Sequence, residues 1–389
     1  MIPYGRQDIT QEDVEAVESV LRSAFLTQGP AIPAFEAAVA RAAGTASAVA
    51  ASNATAALHI AYLAADVGPG DVVWTSPNTF LATANAALYC GASVDFVDVD
   101  PGTLNLCPKA LQAKLEAAKR TSAPSPKVVV PVHFGGEPCR LDEIADLGRA
   151  YGFRVVEDAS HAIGGSFKNH PIGDGSFSDM AVFSFHPVKI VTTGEGGAVC
   201  VQDPGLLERL QLLRSHGMTR ETRLMRGESE GGWYYQQIDL GFNYRMTDIQ
   251  AALGASQMRR LRHFIDARQS KARVYDEAFG KAGIGVQTRA SDARSALHLY
   301  VIRWPDDAPI SRGEAFARLR AAGIGVNLHY IPVYLQPYYA DLGFEPGLCP
   351  NAEDYYRQAI TLPLFPLLTE SEQAYVIDTV LTLAGRARA

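Results

Sequence analysis

Of the eight lysines in this 389-residue chain, one stands where an amine can do covalent chemistry. Lys189 ends the run Phe183-Ser184-Phe185-His186-Pro187-Val188-Lys189, just past an apolar strand, and ligands of open α/β sheets sit beyond the carboxyl ends of the strands. Pro187 removes a backbone donor and disfavours helix at His186. Thr192-Thr193-Gly194-Glu195-Gly196-Gly197 then follows as a small, permissive segment. The lysine is therefore expected on a tight, irregular turn at a cleft, where burial frees its amine of a proton for Schiff-base chemistry. Lys127 enters a strand at the opposite edge and Lys168 sits in a polar turn. Lys109, Lys114, Lys119, Lys271 and Lys281 fall on charged helical stretches and are expected to be solvated. Taken alone, Lys189 reads as a surface lysine in a loop; its chemical companions change that.

The first companion is Asp158, in Val155-Val156-Glu157-Asp158-Ala159-Ser160-His161, at the end of another apolar strand. A carboxylate there would hold a pyridine nitrogen protonated, so that the ring serves as an electron sink; the plain alternative is a helix cap. The second is Ala51-Ser52-Asn53-Ala54-Thr55-Ala56-Ala57, where small residues lie between a strand and a helix. The free N–H groups of a helix N-terminus attract a phosphate. Ala54 and Thr55 lie on that turn, Thr55 and Ser184 can add hydroxyl donors, and Asn53 is equally an ordinary cap. The third is Phe80, in Ser76-Pro77-Asn78-Thr79-Phe80, which can stack on a ring, although a lone phenylalanine is more often core. Each signal is weak by itself. Phosphate donors, a ring stacker, a carboxylate and an amine at four separate strand ends together point to pyridoxal 5'-phosphate as cofactor.

The elements that must position these residues are legible as apolar runs at 47–51, 72–76, 94–99, 128–132, 154–157, 180–185 and 198–201, with helical patterns between several of them. Continuous Val-rich strands alternating with helices predict the α/β class, with a mostly parallel sheet covered on both faces. A helix over 34–43 closes on Gly44, and a long helical region spans 246–278. A strand near 297–303 and helices over 312–322 and 371–384 then suggest a smaller α+β domain. The expected division is a large cofactor-binding domain over 1–250, including the N-terminal segment, and a small domain over 251–389. Residues 121–126 and 226–232 read as polar surface loops.

Composition narrows the partners. With 47% hydrophobic and 20% charged residues the chain has material for a large core and a second, smaller one. A formal net charge of −7 without a Lys/Arg run gives no footprint for nucleic acid, so a small-molecule substrate is expected. Five scattered cysteines without a Cys-x-x-Cys spacing read as reduced thiols. No apolar run approaches the ~18 residues of a membrane span, and the charged start does not read as a secretory signal, so a cytoplasmic protein is expected.

These residues resemble the fold-type I aminotransferases that act on nucleotide-linked keto sugars. The resemblance covers nearly the whole chain and includes Leu26-Thr27-Gln28-Gly29-Pro30, Pro131-Val132-His133-Phe134-Gly135, Gly241-Phe242-Asn243-Tyr244-Arg245-Met246-Thr247-Asp248, His329-Tyr330-Ile331-Pro332 and Leu362-Pro363-Leu364-Phe365-Pro366. It implies a seven-stranded large domain, a small C-terminal domain and a homodimer with two shared sites, in which Asn243 reaches the partner's cofactor phosphate. A turn before a capped helix is the plain reading of Asn243-Tyr244-Arg245 without it. Phe185-His186-Pro187-Val188-Lys189 is most similar to the pseudaminic-acid branch, which aminates C4 of a UDP-linked 4-keto-6-deoxy-N-acetylaltrosamine with L-glutamate as donor. His161 stands where many members have Gln and contact the cofactor ring, and Ala54 stands where many have Gly. His186, Arg245, His329 and Tyr330 are the candidates for the sugar or its diphosphate, with a structural role the alternative for each.

Competing readings meet specific objections. A sugar dehydratase of the same fold replaces the internal lysine by histidine, and Lys189 is present. A regulatory or inactive homologue would have no need of both Lys189 and Asp158. A nicotinamide-dependent dehydrogenase should carry Gly-x-Gly-x-x-Gly after its first strand, and the chain has none there. Other nucleotide-linked keto sugars, dTDP- or GDP-bearing, remain open as substrates.

Overall fold

The computed structural model describes residues 1–387. The seven apolar runs become β1 (Ser47–Ala51), β2 (Val72–Thr75), β3 (Ser93–Phe96), β4 (Val128–Val130), β5 (Arg154–Asp158), β6 (Met180–Ser184) and β7 (Gly197–Val201). They form one sheet in the order β1-β7-β6-β5-β4-β2-β3. Pairings from β3 through to β6 are parallel, and β7 runs antiparallel to both β1 and β6. The third and fourth runs were expected to extend further; their apolar tails leave the ladder as isolated bridges, Val99 with Leu106 and Val132 with Asp158.

Both faces of the sheet are covered, which is why its strands are apolar on both sides. One face packs on α1 (Ala31–Ala43), α4 (Pro108–Thr121) and α5 (Leu141–Tyr151). The other packs on α2 (Ala54–Ala64), α3 (Leu81–Tyr89) and α6 (Pro204–Arg214). Alternation decides which side chain meets which face: Val155 joins the first core and Val156 the second, so Asp158 shares the α2–α3 side with Val156. Helix α2 is buried nearly all round, in keeping with its Ala-rich, non-amphipathic sequence.

The long helical region divides at Arg259–Arg260 into α7 (Asp248–Met258) and α8 (Leu261–Lys281). No Pro or Gly marks this break; Arg260 is held there by Asp8 at 3.2 Å and Asp13 at 2.5 Å. The small domain contains the antiparallel strands β8 (Gly285–Val286), β9 (Tyr300–Arg303) and β10 (Ala359–Leu362), in that order. Helices α9 (Arg312–Ala321) and α10 (Glu370–Leu383) cover it together with the end of α8.

Packing does not divide the chain at residue 250. Leu261, Phe264 and Ile265 of α8 belong to the large-domain core, whereas Tyr275 and Phe279 of the same helix belong to the small one. Ile2 pairs with Ile324 and packs on the small core, while Val333, Tyr339 and Ala352 return to the large one. Helix α8 is thus the shared spine, and the chain crosses between domains more than once.

Candidate active site

The carboxyl ends of the central strands open into a cavity of about 820 Å3. Asp158 ends β5 there, 4% exposed. Its Oδ2 accepts a hydrogen bond from Thr83 Oγ1 at 2.6 Å, and its Oδ1 accepts from the Ser160 N–H at 3.1 Å. Thr83 has one hydroxyl hydrogen, which Asp158 takes, so Thr79 is the donor in the 2.6 Å contact between the two threonines. The carboxylate is oriented by two elements before any ligand arrives.

Lys189 lies in the loop between β6 and β7. Pro187 prevents a helix, and the loop closes on itself instead: Phe185 N–H donates to Gly196 O at 2.9 Å, Thr193 N–H to Phe185 O at 2.9 Å, and Lys189 N–H to His186 O at 2.8 Å. The side chain is half-buried on the cavity wall. Burial pushes its amine down to about 8, against the opposing pull of Asp158. A substantial neutral fraction at physiological pH follows, which a nucleophilic and proton-transferring amine requires.

The phosphate end is built by α2. Asn53 caps it, its side chain accepting from Ala56 N–H at 2.8 Å. The N–H groups of Ala54 and Thr55 have no partner inside the helix, and both residues line the cavity. Gly197 makes this possible: a Cβ there would fall 2.5 Å from Asn53 O and 2.6 Å from Ala54 N, both backbone atoms. Ser184, at the end of β6, lines the same wall. Phe80 precedes α3, 59% exposed, with its ring 6.5 Å from that of Tyr330 across the mouth.

Above the lysine the small domain contributes His298, Asn327, His329 and Tyr330. Tyr330 OH and His161 Nε2 lie 3.2 Å apart, and His329 Nδ1 and Thr361 Oγ1 lie 2.9 Å apart. Burial and the nearby Lys189 hold the imidazoles of His161 and His298 well below the usual range, and that of His329 at about 3. The roof is therefore made of neutral hydrogen-bonding groups. His161 Nδ1 and His298 Nδ1 are both buried without a partner, with the rings 4.5 Å apart.

Most of the residues selected by sequence converge here: Ala54, Thr55, Phe80, Asp158, His161, Ser184, His186, Lys189, His329 and Tyr330 all line the cavity. Asn243 and Arg245 do not; Asn243 is exposed and bridges to Ser215 on the outer surface. Tyr4, Thr83, His298 and Asn327 were missed. A histidine inside the apolar stretch 297–303 was the available signal for His298; Tyr4 carried none. Lys114 is not a freely solvated lysine: its Nζ donates to Phe96 O at 2.7 Å and pairs with Asp95 at 2.7 Å.

An amine without a hydrogen-bond partner, an oriented carboxylate and a helix N-terminus with free donors suit the aldehyde, ring nitrogen and phosphate of pyridoxal phosphate. The comparisons agree. The DegT/DnrJ/EryC1/StrS aminotransferase family matches residues 7–381. The chain is 38% identical to the spore coat polysaccharide biosynthesis protein SpsC of Bacillus subtilis, over 97% of this chain and 96% of that one. It is 35% identical, over 100% and 99%, to the UDP-4-amino-4,6-dideoxy-N-acetyl-beta-L-altrosamine transaminase of Campylobacter jejuni. The solved structure of Helicobacter pylori PseC, an aminotransferase involved in the biosynthesis of pseudoaminic acid, superposes with a TM-score of 0.90 at 29% identity, covering 99% of each chain. Solved relatives include PLP and PMP forms. The chain belongs to the DegT/DnrJ/EryC1/StrS family and is a pyridoxal-phosphate-dependent aminotransferase.

Proposed function

We propose that the enzyme transfers the amino group of L-glutamate to C4 of a UDP-linked 4-keto-6-deoxy-N-acetylhexosamine, in the manner of pseudaminic-acid biosynthesis for a surface polysaccharide. The observation that carries this reading is the full-length likeness to the altrosamine transaminase. In the site, Lys189 is the amine that anchors the cofactor and, once displaced, the base and acid that moves a proton at the substrate carbon. Asp158, fixed by Thr83 and Ser160, holds the proton on the ring nitrogen. Pyridoxal phosphate, when bound, supplies the electron sink that makes the substrate's carbon-bound proton removable. Ala54 and Thr55 at the start of α2 and the Ser184 hydroxyl would hold its phosphate, and Phe80 and His161 would flank its ring.

The anions this chemistry handles exceed what one chain offers. Among the described residues the cavity wall carries a single lysine and no arginine. We therefore assign Asn243 and Arg245, which lie outside it, to the site of a second copy in a homodimer, Asn243 at the cofactor phosphate and Arg245 at the substrate. His186 at the mouth and His329 and Tyr330 in the roof are assigned to the sugar nucleotide. A cytoplasmic location fits the substrate class, and no helix among the described residues is long and apolar enough to cross a membrane.

The test is an absorbance spectrum of the purified enzyme with glutamate, followed by the UDP-linked keto sugar. The cofactor's visible band should bleach with glutamate and return with the sugar. Lys189→Ala should lower turnover by roughly a thousandfold or more. Substantial turnover by that variant would sink the lysine assignment, and a band that glutamate leaves untouched would sink the donor.

A further inference from the structure

We infer that His133 and Glu157 are positioning residues for Asp158, a reading that rests on Asp158 holding the proton of the cofactor's ring nitrogen. Glu157 sits beside Asp158 at the end of β5, and alternation turns its side chain to the opposite face, the one that packs on α1, α4 and α5. Glu157 is 2% exposed, His133 is fully buried, and neither lines the cavity. Neither can touch a ligand there, so any effect on the chemistry passes through the chain. The pair spans the place where the ladder between β4 and β5 breaks. Its regular pairings are Val128 with Arg154 and Val129 with Val155. Pro131 has no N–H to donate, and beyond it the backbone contacts are Asp158 N–H on Pro131 O at 2.9 Å and His133 N–H on Asp158 O at 3.2 Å. The 2.8 Å contact between His133 Nε2 and Glu157 Oε2 lies across the same stretch.

Hydrogen bonding fixes the direction of each contact. Cys139 N–H donates to His133 Nδ1 at 3.0 Å, so the ring proton is on Nε2 and points at Glu157. The other carboxylate oxygen, Oε1, accepts from the hydroxyl of Ser178, just before β6. Glu157 therefore ties the segment after β4 and the approach to β6 to the end of the strand that carries Asp158. A buried network with every member paired is rigid, and removing one member leaves another stranded. On the cavity side Thr83 and Ser160 aim the Asp158 carboxylate; on the far side His133 and Glu157 fix the strand end from which it hangs. A ring nitrogen keeps its proton only while the carboxylate opposite stays in place. Slackening this strand end should lower the protonation of that nitrogen without altering the contacts to glutamate.

The test loads pyridoxal phosphate labelled with nitrogen-15 in its ring into the wild-type, Glu157→Ala, Glu157→Gln and Ser178→Ala proteins. The ring nitrogen's chemical shift is read beside the rate of the glutamate half-reaction. Glu157→Ala, which leaves the His133 N–H without an acceptor, should move the signal toward that of an unprotonated pyridine. It should also slow the half-reaction at saturating glutamate roughly tenfold, with the apparent affinity for glutamate within about twofold of wild type. Glu157→Gln should restore both readouts, because a carboxamide oxygen can accept from His133 while its N–H donates to the Ser178 oxygen. Ser178→Ala removes one contact and should slow the half-reaction roughly two- to threefold with a smaller shift in the same direction; it decides the question if Glu157→Ala does not fold. A protonated signal in wild type that stays in place in the deciding variant overturns this inference alone, even where the melting temperature falls, because a merely structural contact leaves the ring nitrogen untouched. A signal as displaced in Glu157→Gln as in Glu157→Ala also overturns it, because that assigns the effect to charge and not to position. A wild-type ring nitrogen without its proton overturns the Asp158 reading and this inference with it.

Discussion

At the scale of the residue, the chemistry depends on an amine that is not fully protonated. Burial sets Lys189 near 8 while Asp158 pulls the other way, and desolvation wins because the loop around the lysine is closed by its own hydrogen bonds. The neutral amine is the form that attacks an aldehyde. Incorporation of pyridoxal phosphate into cofactor-free enzyme should therefore accelerate roughly tenfold between pH 7 and pH 9 and level off above. A rate that keeps climbing through pH 10, measured by stopped-flow absorbance, would mean that the lysine is solvated like any other. Lys189 and Asp158 were both legible from sequence because each follows an apolar run, and a strand end is a local signal. Thr83 was not, because its partnership with Asp158 spans 75 positions.

At the scale of the element, the start of α2 and the start of β7 meet backbone to backbone. Gly197 has no side chain where Asn53 O and Ala54 N stand 2.5 and 2.6 Å from the site of a Cβ. Neither backbone atom can rotate away as a flexible side chain would. Gly197→Ala should push the phosphate-binding turn outward, with a destabilisation of about 1–3 kcal/mol and a cofactor affinity weakened roughly tenfold or more. Calorimetric melting beside a pyridoxal-phosphate titration checks both, and an unchanged affinity would show that the turn does not hold the phosphate. The strands themselves were readable to within three residues, since period and turn residues are local. The break between α7 and α8 was not, because Arg260 is held by the carboxylates of Asp8 and Asp13, some 250 residues away in sequence.

At the scale of the molecule, the cavity of one chain carries a single lysine and no arginine among the described residues. If Asn243 serves the second copy, Lys189→Ala and Asn243→Ala chains mixed after unfolding and refolding should complement. Random pairing gives mixed dimers in half the population, each with one intact site, so roughly a quarter of wild-type activity should return. Activity no greater than the sum of the separate variants, in a sample that sediments as a dimer, would place Asn243 outside the shared site. The large-domain and small-domain classes were foreseeable from the pattern of runs, but their boundary was not. Helix α8 is continuous in sequence while its apolar face changes partner along its length, from Phe264 in one core to Phe279 in the other.

The sequence by itself determined the α/β class, the seven strands of the sheet and the chemical core of the site. Amphipathic period, strand ends and a proline-bounded lysine turn are written in neighbouring residues. Tertiary structure alone decided the roof. Tyr4, His298 and Asn327 come from separate stretches that meet only when the small domain folds back over the sheet, as Tyr330 OH and His161 Nε2 do across 169 positions. Contacts of that span leave no local period behind, because they are set by how whole elements pack.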